Sequence, residues 1–181
     1  MAKVTIATDW LAACAGCHMS LLDIDERIVP LMEMVDFTSS PVTDLKHPPA
    51  DGVTVGILTG AISNTHNIEV ARLMRSRCKI LVAVGDCATF GGIVASRNLV
   101  GTEAALKRAY LETESTQGGL IPDSAELGCP LPLVTGVADC VDVDLFIPGC
   151  PPRADDLYYV ISELLAGRFP VVIPPQHFKY D

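Results

Sequence analysis

The chain lacks any stretch approaching the roughly 18 uninterrupted apolar residues that a membrane helix needs, although its mean hydropathy of +0.36 is high for a water-facing protein. The apolar excess therefore points to contact with another protein. Basic residues are scarce: 13 Lys and Arg stand against 22 Asp and Glu, for a formal net charge of -9 and a pI near 4.8. With no run of like positive charge either, a phosphate backbone would be repelled, and nucleic acid is not an expected partner. No charged-plus-apolar leader and no twin arginine precede the first strand pattern, so a cytoplasmic location is expected. Internal repeats and low-complexity segments are also missing. Seven cysteines is an odd number in a chain of 181 residues long enough for one core, which does not fit the paired framework of small secreted domains. In a reducing compartment such cysteines point to a metal or to redox chemistry.

What is present is a repeated strand, loop and helix pattern. Residues 3–7 (KVTIA) form a β-branched run, and after a loop carrying CAGC the apolar positions from Met19 to Val35 follow helical spacing, with Pro30 expected to kink or shorten that helix. A second strand is expected over 36–42 and a loop over 43–52. The run VTVGILTG (53–60) leads through Ser63 and Asn64, as a cap region, into a helix over Thr65 to Arg77, and KILVAVG (79–85) repeats the design before the loop DCATFGG. Residues 97–140 contain a helix from Thr102 to about Tyr110 and otherwise read as an irregular insertion. The run 141–149 supplies a last strand and Ala154 to Ala166 a last helix, with Pro151 and Pro152 at or before its first turn. The Pro-rich residues 168–181 read as an extended tail. The fold class that follows is α/β, a doubly wound parallel sheet covered on both faces, with residues 1–181 as a single domain.

Cys14, Cys87 and Cys150 each follow the C-terminal end of an expected strand, and Cys17 lies one short loop beyond Cys14. Ligands of open parallel sheets collect at that edge. The sequence separations are large, 87 - 17 = 70 and 150 - 87 = 63, but the sheet would bring the loops together. Ala15 and Gly16 leave room around the first pair. Gly85, Gly91 and Gly92 flank Cys87, while Gly149, Pro151 and Pro152 shape the loop of Cys150. Four thiolates complete the ligand set of a 4Fe-4S cluster. The same four would also suit structural zinc, although zinc sites show two close pairs and only one is present here. CAGC between a strand and a helix also fits a thiol-disulfide redox pair, a reading that leaves Cys87 and Cys150 unexplained. TGAISN (59–64), with Gly60, Ser63 and Asn64 before a helix, offers a weak phosphate cradle for FMN. Cys78 reads as a plain buried residue. Cys129 and Cys140 carry no supported role, and His47, His66 and His177 show no ligand spacing. His18, next to Cys17, is either structural or a ligand or proton carrier.

The motifs CAGC, GDCATFGG and PGCPP, in that order, resemble the cluster-binding domain of nickel-iron hydrogenase small subunits, over roughly residues 3–170. CHMSLLDIDERIVPLME (17–33) and the short tail ending in Tyr180 and Asp181 look like the small subunit of the NAD-reducing, bidirectional soluble hydrogenases. A related chain of respiratory complex I has adjacent cysteines in its first motif, which the C-x-x-C here does not match. The resemblance implies a flavodoxin-like fold and one 4Fe-4S cluster on Cys14, Cys17, Cys87 and Cys150. It implies a separate large subunit that splits hydrogen at a nickel-iron centre, and a flavin and iron-sulfur diaphorase module that reduces NAD. On that basis the chain is an electron-transfer subunit of a hydrogen:NAD+ oxidoreductase, with a different acceptor in another soluble hydrogenase group as the alternative. Family members often carry an acidic residue where this chain has Ala13 and Thr59.

Overall fold

In the structure, a computed structural model, residues 3–169 together with 174 and 175 are described. The chain runs β1 (Val4–Trp10), α1 (Gly16–Leu22), α2 (Ile28–Met34), β2 (Val35–Ser39), β3 (Val53–Thr59), β4 (Ile62–Asn64), α3 (Thr65–Arg77), β5 (Cys78–Val84), α4 (Asp86–Phe90), α5 (Thr102–Tyr110), β6 (Pro130–Thr135), β7 (Leu145–Ile147) and α6 (Ala154–Leu165). Five strands form one parallel sheet in the order β2-β1-β3-β5-β7. That order is the flavodoxin-like one, so the expected doubly wound α/β fold is present.

The reason lies in the apolar runs. Strand side chains alternate between faces, so a run without polar interruption serves two cores at once. Ile6, Ile57 and Val82 enter one core with Leu157 and Val160 of α6. Their neighbours Ala7, Leu58 and Ala83 enter the other with Ala71 and Met74 of α3. The cap region behaves as read: Asn64 is the N-cap of α3, and its side chain accepts a hydrogen bond from the Asn67 N–H at 2.8 Å.

Four expectations are corrected. The single helix over Met19 to Val35 is divided, and the break falls at residues 23–25 rather than at Pro30, where Asp25 adopts φ 55. Pro30 sits in the first turn of α2, where its missing N–H is not needed. The break lets Ile24 become fully buried, and Arg27 covers the freed Ile24 carbonyl with its Nε at 3.0 Å. Apolar spacing alone could not reveal this, because Leu21, Ile24, Ile28 and Leu31 keep core-facing positions across it. The last strand is confined to Leu145–Ile147, and the second to Val35–Ser39. Within 97–140, β6 pairs antiparallel with β4 as a small second sheet, a long-range pairing without local signal. The tail expected over 168–181 lies largely outside the described residues.

A row of paired residues crosses the sheet: Trp10 on β1, Thr59 on β3, Val84 on β5 and Ile147 on β7. Cys87 and Cys150 follow their strand's member of that row by three residues and Cys14 follows by four. The hydrogen-bonded register thereby delivers three loops from distant parts of the chain to one edge.

Candidate metal centre

The first loop is tied to the exit of β3. The Leu11 N–H donates to the Thr59 carbonyl at 2.8 Å, and Ala12 and Ala61 exchange backbone hydrogen bonds of 3.1 and 2.9 Å. Gly60, at φ +86, is required there, since a Cβ would lie 2.7 Å from the Ala12 carbonyl oxygen. Beyond this tether Cys14 is exposed. Ala15 takes a left-handed conformation, φ 67, as the N-cap of α1, and Cys17 lies half-buried in the first turn. The turn places the two thiols of CAGC at different depths, one at the surface and one against the core formed by Val84, Ile147 and Leu157.

The second loop opens with Gly85, the N-cap of α4, at φ +89. A Cβ on it would stand 2.3 Å from the Cys17 sulfur, so the loop passes directly against that thiol. The third loop is bound to the second. The Gly85 N–H donates to the Ile147 carbonyl at 2.7 Å and the Asp86 N–H to the Gly149 carbonyl at 2.9 Å. The Asp86 carboxylate in turn accepts from the Gly149 N–H at 2.7 Å. From the other side, the buried Ser20 hydroxyl of α1 donates to the Pro152 carbonyl, joining the first and third loops. Asp86 and Ser20 were not singled out in the sequence. The position of Asp86 directly before Cys87 was the only available signal.

All four expected ligands, Cys14, Cys17, Cys87 and Cys150, line one cavity of about 110 Å³, together with Gly16, Gly60, Asp86 and Gly149. Among the described residues no three His, Cys, Asp or Glu side chains stand close enough together to hold a single metal ion. The four thiols are brought together as the lining of this cavity. Burial pushes the Cys17 thiol up to about 12, with the neighbouring Cys87, Cys14 and Cys150 thiolates and the Asp86 carboxylate adding to it. Cys150 is raised in the same sense, by desolvation and then by Cys87, Asp86 and Cys14. Charged thiolates crowded around a space disfavour one another, and a cationic core placed between them reverses that penalty. The donor set and the room between it therefore fit a polynuclear iron-sulfur core.

The remaining candidates do not join this site. Cys78 is buried, its sulfur set against Gly56, where a Cβ would be 2.4 Å away, and burial pushes its thiol up to about 11. Cys140 packs at the edge of the α3-side core and Cys129 is exposed. His66 lies on the exposed start of α3, 3.7 Å from Glu69, and His177 is outside the described residues. His18 turns inward instead. Its Nδ1 meets the Thr59 hydroxyl at 3.2 Å and its ring stands edge-on to Trp10 at 5.6 Å. Burial holds its pKa below the usual imidazole range, and its Nε2 is buried without a partner. Thr59 itself is 1% exposed, so the uncharged hydroxyl suits a position that would penalise a carboxylate.

The phosphate cradle considered for 59–64 is already engaged. The Ala61 N–H donates to the Ala12 carbonyl, Ser63 N–H to the Asn67 side chain, Thr65 N–H to the Cys129 carbonyl and Asn67 N–H to the Asn64 side chain. Four backbone donors around the start of α3 are thereby occupied within the chain.

The family model described as NADH ubiquinone oxidoreductase, 20 Kd subunit, matches residues 14–164. The chain is 36% identical over 182 residues to the delta subunit of the NAD-reducing hydrogenase HoxS of Cupriavidus necator, a match covering 99% of this chain and 86% of that one. It is 37% identical over 169 residues to a subunit of the F420-non-reducing hydrogenase of Methanothermobacter thermautotrophicus, a match covering 92% of this chain and 54% of that one. Among solved structures, an NAD+-reducing NiFe-hydrogenase in the H2-reduced state superposes with a TM-score of 0.93 at 39% identity, covering 99% of this chain and 100% of that chain. The NiFeSe hydrogenase of Desulfovibrio vulgaris Hildenborough, at 15% identity and TM-score 0.60, shares the fold over 92% of this chain and 60% of that one.

Proposed function

Since the chain belongs to the NADH ubiquinone oxidoreductase 20 kDa subunit family, within its nickel-iron hydrogenase small subunits, we propose that it carries one 4Fe-4S cluster on Cys14, Cys17, Cys87 and Cys150 and relays electrons from a nickel-iron large subunit to a diaphorase module that reduces NAD. The observation that carries this reading is the gathering of those four thiols, from three loops, around one cavity. When bound, the cluster supplies reversible one-electron storage. Cys14, Cys17, Cys87 and Cys150 would hold it as thiolates, each deprotonated on loading. The apolar side of Cys17 excludes water from its inner face, and the loop tethers through Ala12, Asp86 and Ser20 keep the ligands in place before loading.

A relay needs openings toward its partners. Cys14 and Cys150 are exposed, and around them Phe90 is 61% and Ile93 70% exposed. We assign this mouth, with the exposed Met19 and Leu22 of α1, to the large subunit. NAD as acceptor follows the name of the HoxS relative, while a cytoplasmic location and residues 1–181 as one domain are carried as parts of the proposal. The match to the F420-non-reducing hydrogenase supports a second reading, the same relay serving a different acceptor. FMN in this chain gains no support, because the N–H groups of Ala61, Ser63, Thr65 and Asn67 are already engaged within the chain. Zinc is disfavoured because only Cys14 and Cys17 form a close pair, with Cys87 and Cys150 each alone on its loop.

The test is electron paramagnetic resonance with iron and sulfide analysis on the native complex, repeated with Cys87→Ser, together with hydrogen-dependent reduction of NAD. One cubane signal should be lost while hydrogen splitting at the large subunit persists, uncoupled from NAD. Zinc-containing, iron-free small subunit would overturn the assignment.

A further inference from the structure

We propose that Asp86 is a positioning residue with two separable roles: its carboxylate staples the Cys150 loop to the Cys87 loop, and its fixed negative charge holds the cluster at a lower reduction potential than the thiolates alone would set. The inference rests on the cluster assignment above and deepens it.

The staple is visible as a closed pair of hydrogen bonds. The Asp86 N–H donates to the Gly149 carbonyl at 2.9 Å, and the Gly149 N–H returns to Asp86 Oδ1 at 2.7 Å. Gly149 immediately precedes Cys150, and Asp86 immediately precedes Cys87. One residue therefore fixes the spacing of two ligands whose positions are 63 residues apart in sequence, 150 - 87. Gly149 has φ +137 and would place a Cβ 2.5 Å from Pro152 Cα, so its backbone cannot be re-aimed by adding a side chain. The Asp86 carboxylate is the device that remains to aim it. A second carbonyl oxygen would serve this purpose equally well, so the staple alone does not require a charge.

The charge has its own consequence. Asp86 lines the same cavity as the four thiols and immediately precedes Cys87 in the chain. A carboxylate beside the cavity disfavours an added electron on a core held in it. Among the described residues, no cationic side chain lines that cavity to cancel it. The direction follows: neutralising Asp86 makes reduction easier.

Asparagine and alanine separate the two roles. In Asp86→Asn the side-chain carbonyl still accepts from Gly149 N–H, so iron content should match the wild type while the cluster's midpoint potential, read by redox-poised electron paramagnetic resonance on the intact complex, moves upward. Asp86→Ala should show the same upward displacement and also lose iron faster, since the Gly149 N–H next to Cys150 then has no side-chain acceptor and only the backbone half of the staple remains. An unchanged potential in Asp86→Asn overturns the electrostatic role, and full iron retention by Asp86→Ala under chelator overturns the staple. Iron-free wild-type protein would instead sink the cluster assignment itself, which keeps the two failures distinct.

Discussion

Gly85 and Gly101 form a natural controlled pair. Each is the N-cap of a helix, with φ 89 and ψ 160 at Gly85 and φ 85 and ψ 157 at Gly101, and each carbonyl accepts the N–H four residues on. Replacing either by alanine forces a Cβ into a region of backbone space that is nearly exclusive to glycine, at a cost of about 1–3 kcal/mol. The surroundings differ. A Cβ on Gly101 meets nothing within 4 Å, whereas one on Gly85 stands 2.3 Å from the Cys17 sulfur and 3.5 Å from the Gly149 carbonyl oxygen. Cys17 cannot swing aside without leaving its place in the ligand set, so Gly85→Ala adds an overpacking penalty of about 1–3 kcal/mol that Gly101→Ala lacks. That increment corresponds to roughly 5- to 150-fold. The assay is iron and acid-labile sulfide per chain in the assembled complex, with the rate of cluster loss under chelator. Gly101→Ala should keep its iron and lose only stability. Gly85→Ala should be assembled with less iron and release what it holds faster, by up to that factor. If Gly85→Ala carries full iron and releases it no faster than Gly101→Ala, Cys17 is not held where the cluster would need it, and the argument fails.

Three further substitutions probe the supports. Ser20→Ala removes the donor to the Pro152 carbonyl and should cost roughly 1–2 kcal/mol, with faster hydrogen exchange in the first turns of α1 as the readout. Asn64→Ala removes the cap on the Asn67 N–H and should lower the urea midpoint by about 1 kcal/mol equivalent without changing iron content. Asp144 opposes its own desolvation with hydrogen bonds from Arg75 at 2.6 Å and the Leu81 N–H at 2.7 Å, which together hold its carboxyl below the ordinary aspartate value of 3.8. A depressed carboxyl contributes stability above its unfolded pKa and loses it as pH falls. Asp144→Asn should therefore cost roughly 1 kcal/mol at neutral pH, solvent screening included. The gap from wild type in urea midpoint should close on acidification below about 3.8; a gap independent of pH would refute the ionic account.

The sequence disclosed those features whose cause is local. The apolar runs of β3 and β5, the Asn64 cap and the glycines beside Cys87 are each a short-range signal, and each stands where it was read. Features caused by partners far along the chain were hidden. The break before α2 depends on Ile24 finding full burial and on Arg27, held to Asp155 at 2.9 Å, closing over its carbonyl. The pairing of β4 with β6 joins residues more than sixty positions apart and leaves no period in either strand. Asp86 and Ser20 are single polar residues whose meaning appears only when the loop they grip is beside them.

The same distinction explains why the four cysteines could be grouped from sequence although their mutual arrangement could not. Parallel strands in register end at a common edge, so a cysteine placed three or four residues beyond each strand is delivered there whatever the length of chain between. The extra residue before Cys14 is absorbed by Leu11 and Ala12, which prolong β1's attachment to the chain leaving β3. β3 lies between β1 and β5, and Gly60 at its exit is packed against Ala12 and Ala13, with a Cβ excluded at 2.7–2.9 Å. That strand acts as the buttress for the CAGC loop.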